Sequence, residues 1–151
     1  MDKTLDEYDH AILRELSAHG RLPITELAGR INLSNTPTQA RVKRLEEAGV
    51  ITGYRALLDP VKLGLDHIAF VEVKLDDTRE AALNAFNTAA RAIPEIEECH
   101  MVASRFDYLL KVRTADMGSY RRILGERISA LPHVSNTSTH VVMEAVKEEL
   151  F

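Results

Sequence analysis

The sequence predicts an α+β protein with two parts, an N-terminal module of three short helices and a C-terminal ferredoxin-like βαββαβ domain. Three observations support this prediction. Apolar residues recur at helical spacing three times in the first 50 residues, Pro60 ends a connecting segment, and strand and helix patterns then alternate. A chain of 151 residues divided in this way has two small parts, each with little apolar surface to bury. We therefore expect the protein to associate with copies of itself.

The first two helices are predicted from apolar stripes and end signals. Thr4 and Glu7 have the spacing of a capping box, and Gly20 provides a stop. Between them lies the stripe Leu5, Tyr8, Ile12 and Leu16. A second stripe follows Pro23, with Ile24, Leu27, Ala28 and Ile31. This second helix is too short to be stable alone, so it must pack on its neighbours.

The third helix has a core face and a polar face. It begins near Ser34, or at a second N-cap formed by Thr36 before Pro37, and Gly49 ends it. Helical periodicity places on the core side Thr38, Val42 and Leu45. The other side presents Thr36, Gln39, Ala40, Lys43 and Arg44, with Arg41 on the flank. The segment from Arg30 to Leu45 has four basic residues and no acidic one, in a chain of net charge −4.

A short helix, a tight turn and this third helix fit the major groove of double-stranded DNA. Amide and guanidinium groups can bond to base edges and an ammonium group to phosphates, while the small Ala40 lets the helix approach the groove floor. The same pattern also fits a generic three-helix bundle with one solvated polar face. Both interpretations stay open on these residues alone.

The connection after the third helix is predicted to be a strand. Val50 to Pro60 is strand-like, with Gly53 inside it, and Asp59-Pro60 stops it before Gly64. We therefore divide the chain into a candidate DNA-binding domain at 1–52, a linker strand at 53–64, and a second domain at 65–151.

The second domain alternates strands and helices in the order βαββαβ. We predict strands over His67–Leu75, Ile96–Ala103, Tyr108–Thr114 and Val134–Lys147. Helices run over Arg79–Ile93 and from Asp116 to Pro132. This order gives an antiparallel sheet with both helices on one face. Apolar residues alternate on both sides of the strands, so the other face needs a cover, most economically the same sheet of a second copy.

Several other classes of protein are disfavoured by the sequence. Apolar stretches fall far short of a membrane span and the N-terminus is acidic, so we expect a cytoplasmic protein with no membrane partner. The single Cys99 excludes an internal disulfide and a zinc knuckle, and Cys99 and His100 point to opposite faces of a strand, so no metal is expected. No phosphate-binding loop or other cofactor motif is present. Ser104, Asp107 and His100 or His140 resemble a nucleophile set, but no nucleophile elbow accompanies them, so we expect no enzyme.

Motifs along almost the whole chain resemble one family of transcriptional regulators. In the N-terminal part they are Leu5-Asp6, Asp9, Ile12-Leu13, Leu27-Ala28, Leu33-Ser34, Arg41-Val42, Arg44-Leu45-Glu46, Gly49-Val50-Ile51, Gly53-Tyr54, Leu58-Asp59-Pro60 and Leu63-Gly64. In the C-terminal part they are Glu98-Cys99-His100, Phe106-Asp107-Tyr108-Leu109-Leu110-Lys111, Asp116-Met117, Tyr120 and Val141-Val142-Met143-Glu144. Their joint order and spacing resemble the Lrp/AsnC family, the leucine- and asparagine-responsive or feast/famine regulators.

The resemblance implies a winged helix-turn-helix joined by a strand to an amino-acid-binding ferredoxin-like domain. Members form dimers that often associate into octamers, and they bind promoters in response to an amino acid held between dimers. By position, DNA contacts fall on Ser34, Thr36, Thr38, Gln39, Arg41, Lys43 and Arg44. The effector site falls on Met101, Ala103, Ser104, Arg105, Asp107, Met117, His140 and Val142. The C-terminal half is especially similar to activators of proline catabolism, which makes proline the first effector to test and a leucine-like amino acid the second.

The chemistry of these positions supports part of the transfer. A free amino acid needs an acceptor for its ammonium group, which Asp107 offers, and donors for its carboxylate, which turn amides or Arg105 offer. Asp107 is equally compatible with a turn residue that bonds to backbone. Relatives commonly have Gly at position 104, and a Ser forced to a positive φ costs on the order of 1 kcal/mol. An architectural DNA-binding protein without an effector is the alternative function.

Overall fold

The computed structural model describes residues 4–148, and these form two compact units that divide between Leu57 and Leu58. The first unit is helical and the second is a four-stranded sheet with helices. The predicted α+β class is therefore confirmed. None of the helices between residues 4 and 148 combines the length and the apolar composition that a membrane span requires.

Three helices build the N-terminal unit. They are α1 (Glu7–Ala18), α2 (Ile24–Arg30) and α3 (Asn35–Glu47). Their apolar stripes meet in one core formed by Ile12, Leu27, Ile31, Val42 and Leu45. The stripes predicted from the sequence supply every member of this core, so packing, and not helix propensity alone, stabilises the short α2.

The ends of these helices correct one prediction and confirm another. The capping box of α1 is formed by Asp6 and Asp9, whose side chains accept from each other's backbone N–H groups, and not by Thr4 and Glu7. Aspartate carboxylates are strong acceptors at a positive helix end, so Asp6 is the better N-cap. Ser34 is the N-cap residue of α3, which confirms one of the two starts predicted for this helix.

The segment that connects the units is not a strand in this chain. Val50 to Pro60 was predicted to be one, and the 53–64 linker with it, but residues 52–59 have no regular structure and residues 60–64 form a turn. Asp59 accepts hydrogen bonds from the backbone N–H groups of Val61 (3.0 Å) and Lys62 (3.2 Å). A strand requires a neighbour for its backbone groups, and nothing between residues 4 and 148 pairs with this segment as a ladder.

The C-terminal unit has the predicted ferredoxin-like order. Its elements are β1 (His67–Leu75), α4 (Glu80–Arg91), β2 (Ile96–Met101), β3 (Tyr108–Thr114), α5 (Met117–Ile123) and β4 (Val134–Val141). A single π-helical turn, Leu124–Ile128, continues α5. The strands lie in the order β2-β3-β1-β4 and all pairs are antiparallel. The core between sheet and helices includes Val71, Phe86, Leu110, Tyr120 and Ile128.

The last strand is shorter than predicted because its partner ends. We expected β4 to continue to Lys147, but it stops at Val141, which pairs with Ala69. One more hydrogen bond joins the Val142 N–H to the Ile68 carbonyl at 2.9 Å. Beyond that point β1 has almost no residues left to pair with, so the chain leaves the sheet.

The sheet face away from the helices is mixed and not simply apolar as we expected. Phe70 and Leu109 lie on it, but so do Lys111 and Arg113 of β3. The Lys111 ammonium lies 2.7 Å from a Glu148 oxygen, and the Arg113 guanidinium also bonds to Glu148 at 2.7 Å. The side chains of both bases are about nine-tenths buried. The tail after β4 therefore contributes a charge to this face.

Candidate functional site

The turn between α2 and α3 sets the position of the predicted recognition helix. Asn32 adopts a left-handed φ of 57°, which asparagine tolerates better than most residues, and the Leu33 N–H bonds to the Ala28 carbonyl at 3.0 Å. Val42 and Leu45 then anchor α3 in the core. The opposite face of α3 is left free.

Four of the seven predicted DNA contacts lie on that free face. Ser34, Thr36, Gln39 and Lys43 are all exposed, and so is the small Ala40 between them. The Lys43 ammonium forms a long ion pair, 3.7 Å from Glu47, and its side chain is 73% exposed. These residues form a polar surface, here called the α3 polar face, on a helix whose opposite face packs in the core through Val42 and Leu45.

Thr38 does not belong to this face. Its relative exposure is 0%, and its hydroxyl donates to the Ser34 carbonyl at 2.9 Å. A buried residue whose hydroxyl bonds within its own helix has no surface to offer DNA. The prediction of a DNA contact at Thr38 is corrected to a core role, in agreement with the helical periodicity.

Arg41 and Arg44 are bound to acids of α1. The Arg44 Nη2 lies 2.5 and 2.6 Å from the two Asp9 oxygens. The Arg41 Nη1 bonds to Asp6 at 2.7 Å and to Asp9 at 3.0 Å, and its guanidinium lies 5.3 Å from the Tyr8 ring centre. The arginines therefore join α3 to α1, whereas we had placed Arg44 on the free polar side.

The acids of this cluster were missed as functional residues. The Asp9 side chain is only 1% exposed, and although burial raises its pKa, hydrogen bonds from Arg44, the Asp6 backbone and Arg41 outweigh burial and lower it. The pKa of Arg41 is raised chiefly by its hydrogen bond to Asp6. The sequence signal was the pair Asp6 and Asp9, three residues apart at the start of α1, together with two arginines of α3 that have the same spacing.

The end of β2 and the turn that follows it carry five of the predicted effector residues. Met101, Ala103, Ser104 and Arg105 are exposed, and Asp107 is partly buried. The Val102 N–H bonds to the Asp107 carbonyl at 3.0 Å, which closes the turn. Ser104 is not among the residues with positive φ between positions 4 and 148, so the cost considered for a serine there does not arise.

Asp107 bonds mainly to backbone in this structure. One carboxylate oxygen accepts from the Leu75 N–H at 2.7 Å, and the Lys74 ammonium lies 3.4 Å away. The Asp107 N–H bonds in turn to the Val73 carbonyl at 2.9 Å. These contacts favour the alternative in which Asp107 ties the turn to the end of β1.

Two of the remaining effector residues lie at the other end of the sheet. Val142 is beside Ile68 at the start of β1, and Met117, the first residue of α5, follows the end of β3, whose last residue Thr114 pairs with His67. From Ile68 to Val73, which adjoins Asp107, β1 advances five residues, or about 17 Å. No free amino acid spans that distance within one chain.

His140 lies between the two ends and is linked to the turn through Glu72. The His140 Nε2 and the Arg105 Nη2 each lie 3.5 Å from a Glu72 oxygen. Together with Lys74, Phe106 and Ser138, Glu72 and Arg105 line a cleft of about 190 Å³. Sequence reasoning missed Glu72, although an acid in an otherwise apolar strand stretch, Phe70-Val71-Glu72-Val73, was the available signal.

Comparisons with known proteins match both units. A family model described as the Lrp/AsnC ligand binding domain matches residues 68–150, and one described as winged helix-turn-helix DNA-binding matches residues 5–52. The chain belongs to the Lrp/AsnC family. It is thus a DNA-binding transcriptional regulator with an N-terminal helix-turn-helix, and the resemblance seen in its motifs is confirmed.

Individual known proteins match this chain over nearly its full length. The "Proline dehydrogenase transcriptional activator" of Rhizobium radiobacter is 62% identical over 95% of this chain and 92% of its own. The protein of the same name from Rhodobacter capsulatus is 56% identical over 99% and 97%. A solved Neisseria meningitidis transcriptional regulator in complex with L-methionine has a TM-score of 0.91 and 32% identity, over 96% of this chain and 94% of that one. All three names describe transcriptional activators or regulators.

Proposed function

We propose that this Lrp/AsnC regulator controls transcription of a proline dehydrogenase gene in the cytoplasm, in response to an amino acid. The observation that carries the proposal is its 62% and 56% identity, over almost the whole chain, to two relatives named proline dehydrogenase transcriptional activators. Because the alignments cover 95% and 99% of this chain, the similarity includes both the DNA-binding unit and the ligand-binding unit.

In the proposed DNA complex, the α3 polar face enters the major groove. Thr36 and Gln39 read base edges, and Ser34 and Lys43 contact phosphates. Their exposure and the small Ala40 beside them support this assignment. Arg41 and Arg44 hold the helix against α1, because their guanidinium groups already have carboxylate partners.

The proposed effector is a small amino acid bound between copies of the chain. The distribution of the candidate residues supports this arrangement, because Arg105 and Met117 sit near opposite ends of the sheet. One copy then supplies the charged turn, and a second copy supplies Met117 and Val142 against the side chain of the ligand. The L-methionine complex of the Neisseria meningitidis regulator makes an amino acid the first ligand class to test.

The test is a gel-shift series with full-length protein. We expect a duplex from the region upstream of the proline dehydrogenase gene to bind more tightly than a random duplex of equal length, with L-proline changing the specific affinity. Titration over a range of salt concentrations separates the two kinds of binding, because nonspecific affinity follows the phosphate contribution alone. Equal affinity for both duplexes at every salt concentration contradicts the proposal and favours the architectural alternative.

A thermal-shift screen of the twenty amino acids tests the effector separately. A ligand that binds the folded state raises the unfolding midpoint according to RT ln(1 + [L]/Kd). We expect proline or a leucine-like amino acid to give the largest rise. A flat response to all twenty contradicts the effector half of the proposal while leaving the DNA half standing.

A further inference from the structure

The cleft beside the β2–β3 turn carries charges of both signs. Glu72 contributes a carboxylate, and Lys74 and Arg105 contribute cationic groups. A free amino acid is a zwitterion, so its two charged ends require partners of opposite sign a few ångströms apart. The cleft volume of about 190 Å³ lies below the roughly 300–1,000 Å³ typical of pockets for drug-sized ligands, so the cleft suits a smaller ligand.

Glu72 lines this cleft, and Asp107 is linked to it through an ion pair with the lining residue Lys74. The two carboxylates differ in how many hydrogen bonds they already accept. Asp107 accepts a short bond from the Leu75 N–H at 2.7 Å and an ion pair from Lys74. The contacts of Glu72 to Arg105 and His140 are both 3.5 Å long, at the limit for a hydrogen bond. The Glu72 side chain is also only 16% exposed, so water satisfies it poorly. Glu72 is therefore the acceptor with capacity to spare.

Arg105 provides the complementary donor. Its side chain is 82% exposed, and its contact with Glu72 is long. A guanidinium has five N–H donors in a planar fork that matches a carboxylate. A ligand whose ammonium takes over Glu72 leaves the fork free for the carboxylate of the same ligand. The half-buried Phe106 in the lining offers apolar contact to the ligand side chain.

From these contacts we infer that Glu72, and not Asp107, is the ammonium acceptor for the amino-acid effector, with Arg105 binding its carboxylate. The inference rests on the proposed function, since it names the residues that hold the proposed ligand. The ligand class it specifies is a small α-amino acid with an unblocked nitrogen. The secondary ammonium of proline qualifies, because it has two N–H donors and both the Glu72 carboxylate and its neighbour Ser138 face the cleft.

The test is calorimetry on the full chain with amino acids and their analogues without nitrogen. L-proline is compared with cyclopentanecarboxylate, and L-leucine with isocaproate, on the wild type and on the Glu72→Gln and Asp107→Asn variants. We expect the wild type to prefer the amino acid over its analogue by about ten- to a hundredfold, the value of one hydrogen bond to a charged group. Glu72→Gln should lose that preference, whereas Asp107→Asn should keep it.

Controls make each outcome decisive. Glu98→Gln removes a carboxylate from the same face of the sheet, at β2, and should leave the preference unchanged. Glu72→Asp keeps the charge and should keep part of the preference, and the unfolding midpoint of each variant reports whether it folds. A preference that survives Glu72→Gln in folded protein, or disappears equally in Asp107→Asn, overturns the assignment and leaves the proposed function intact. A wild type that binds neither amino acid overturns the proposed effector as well.

Discussion

Asp9→Asn should unfold the N-terminal unit at markedly lower temperature without changing the shape of the side chain. The Asp9 side chain is 1% exposed and lies between Arg41 and Arg44, so its negative charge is stabilised by the two guanidinium groups and hardly by water. Among residues 4–148, Asp9 is the carboxylate that pairs with Arg44, whereas Arg41 keeps its bond to Asp6. The substitution therefore leaves Arg44 without a charged partner and removes one of the two carboxylates that bind Arg41.

The magnitude follows from the contacts that are lost. A hydrogen bond to a charged group contributes about 1.5–3 kcal/mol, and removal of one partner from a fully buried pair costs roughly 3–5 kcal/mol. Arg41 and Arg44 are 27% and 37% exposed, so water recovers part of the loss. We expect a decrease of about 2–3 kcal/mol in the free energy of unfolding of the N-terminal unit, or on the order of 10–20 °C in its transition.

The assay is differential scanning calorimetry of the full chain, with Glu7→Gln as the matched control. Glu7 is an exposed acid in the same first turn of α1, and its substitution should change stability by less than about 0.5 kcal/mol. If Asp9→Asn is as mild as Glu7→Gln, the acid–arginine cluster does not stabilise the unit, and Arg41 and Arg44 return to the list of free DNA contacts.

The same cluster predicts the effect of acid. The pKa of Asp9 is lower in the folded protein than its ordinary value of 3.8, so the unfolded chain binds the proton more readily. The stabilisation is therefore fully present above pH 3.8 and disappears as the pH falls through the folded pKa. Wild-type protein should lose stability over this interval, and Asp9→Asn should lack that component of the decline.

Four further substitutions test other parts of the structure. Lys43→Ala should weaken binding to every duplex and reduce the slope of log affinity against log salt concentration by about one. Gln39→Ala should instead relax discrimination at one base position. If both variants have the same effect on specific and random DNA, the assignment of Lys43 to phosphate and Gln39 to a base is wrong. Lys62→Ala, with the same change in net charge, is the control for Lys43 in the same gel-shift series. Asp107→Asn should lower the unfolding free energy of the C-terminal unit by about 1–2 kcal/mol in denaturant titrations, and an unchanged midpoint would remove its structural role. Tyr120→Phe removes a buried hydroxyl that is hydrogen-bonded to the Thr139 hydroxyl at 2.5 Å. It should lower the free energy of unfolding by about 1 kcal/mol in the same titrations, and an unchanged free energy would contradict a stabilising role for this bond.

Local patterns predicted the elements that depend on local physics. Ser34 is the N-cap of α3, one of the two candidates that the sequence offered, and β3 covers the predicted residues Tyr108–Thr114. Predictions failed where pairing decides the outcome. The strand expected at Val50 to Pro60 has no neighbour among residues 4–148, and the strand expected to reach Lys147 ends where β1 ends.

The candidate sites were predictable only in part, because a side chain's function depends on what lies across from it. Periodicity placed Gln39 and Lys43 on an exposed face and Thr38 in the core. It could not show that Arg44 meets Asp9 on another helix, or that Asp107 reaches the backbone of β1. Both are contacts between residues more than 30 positions apart in sequence, and helical or strand periodicity carries no information about them.

The layout of the sheet links effector binding to assembly in the proposed site. The charged turn at Arg105 and the apolar residues Met117 and Val142 sit near opposite ends of β1, so a ligand that touches both groups holds two chains together. By thermodynamic linkage, the ligand then strengthens association by the same factor by which association strengthens ligand binding. Each chain carries one α3, and the spacing of paired recognition helices sets which half-sites a helix-turn-helix protein can occupy. The effector can therefore change DNA binding through the number of helices held together, with no contact to α3 at all.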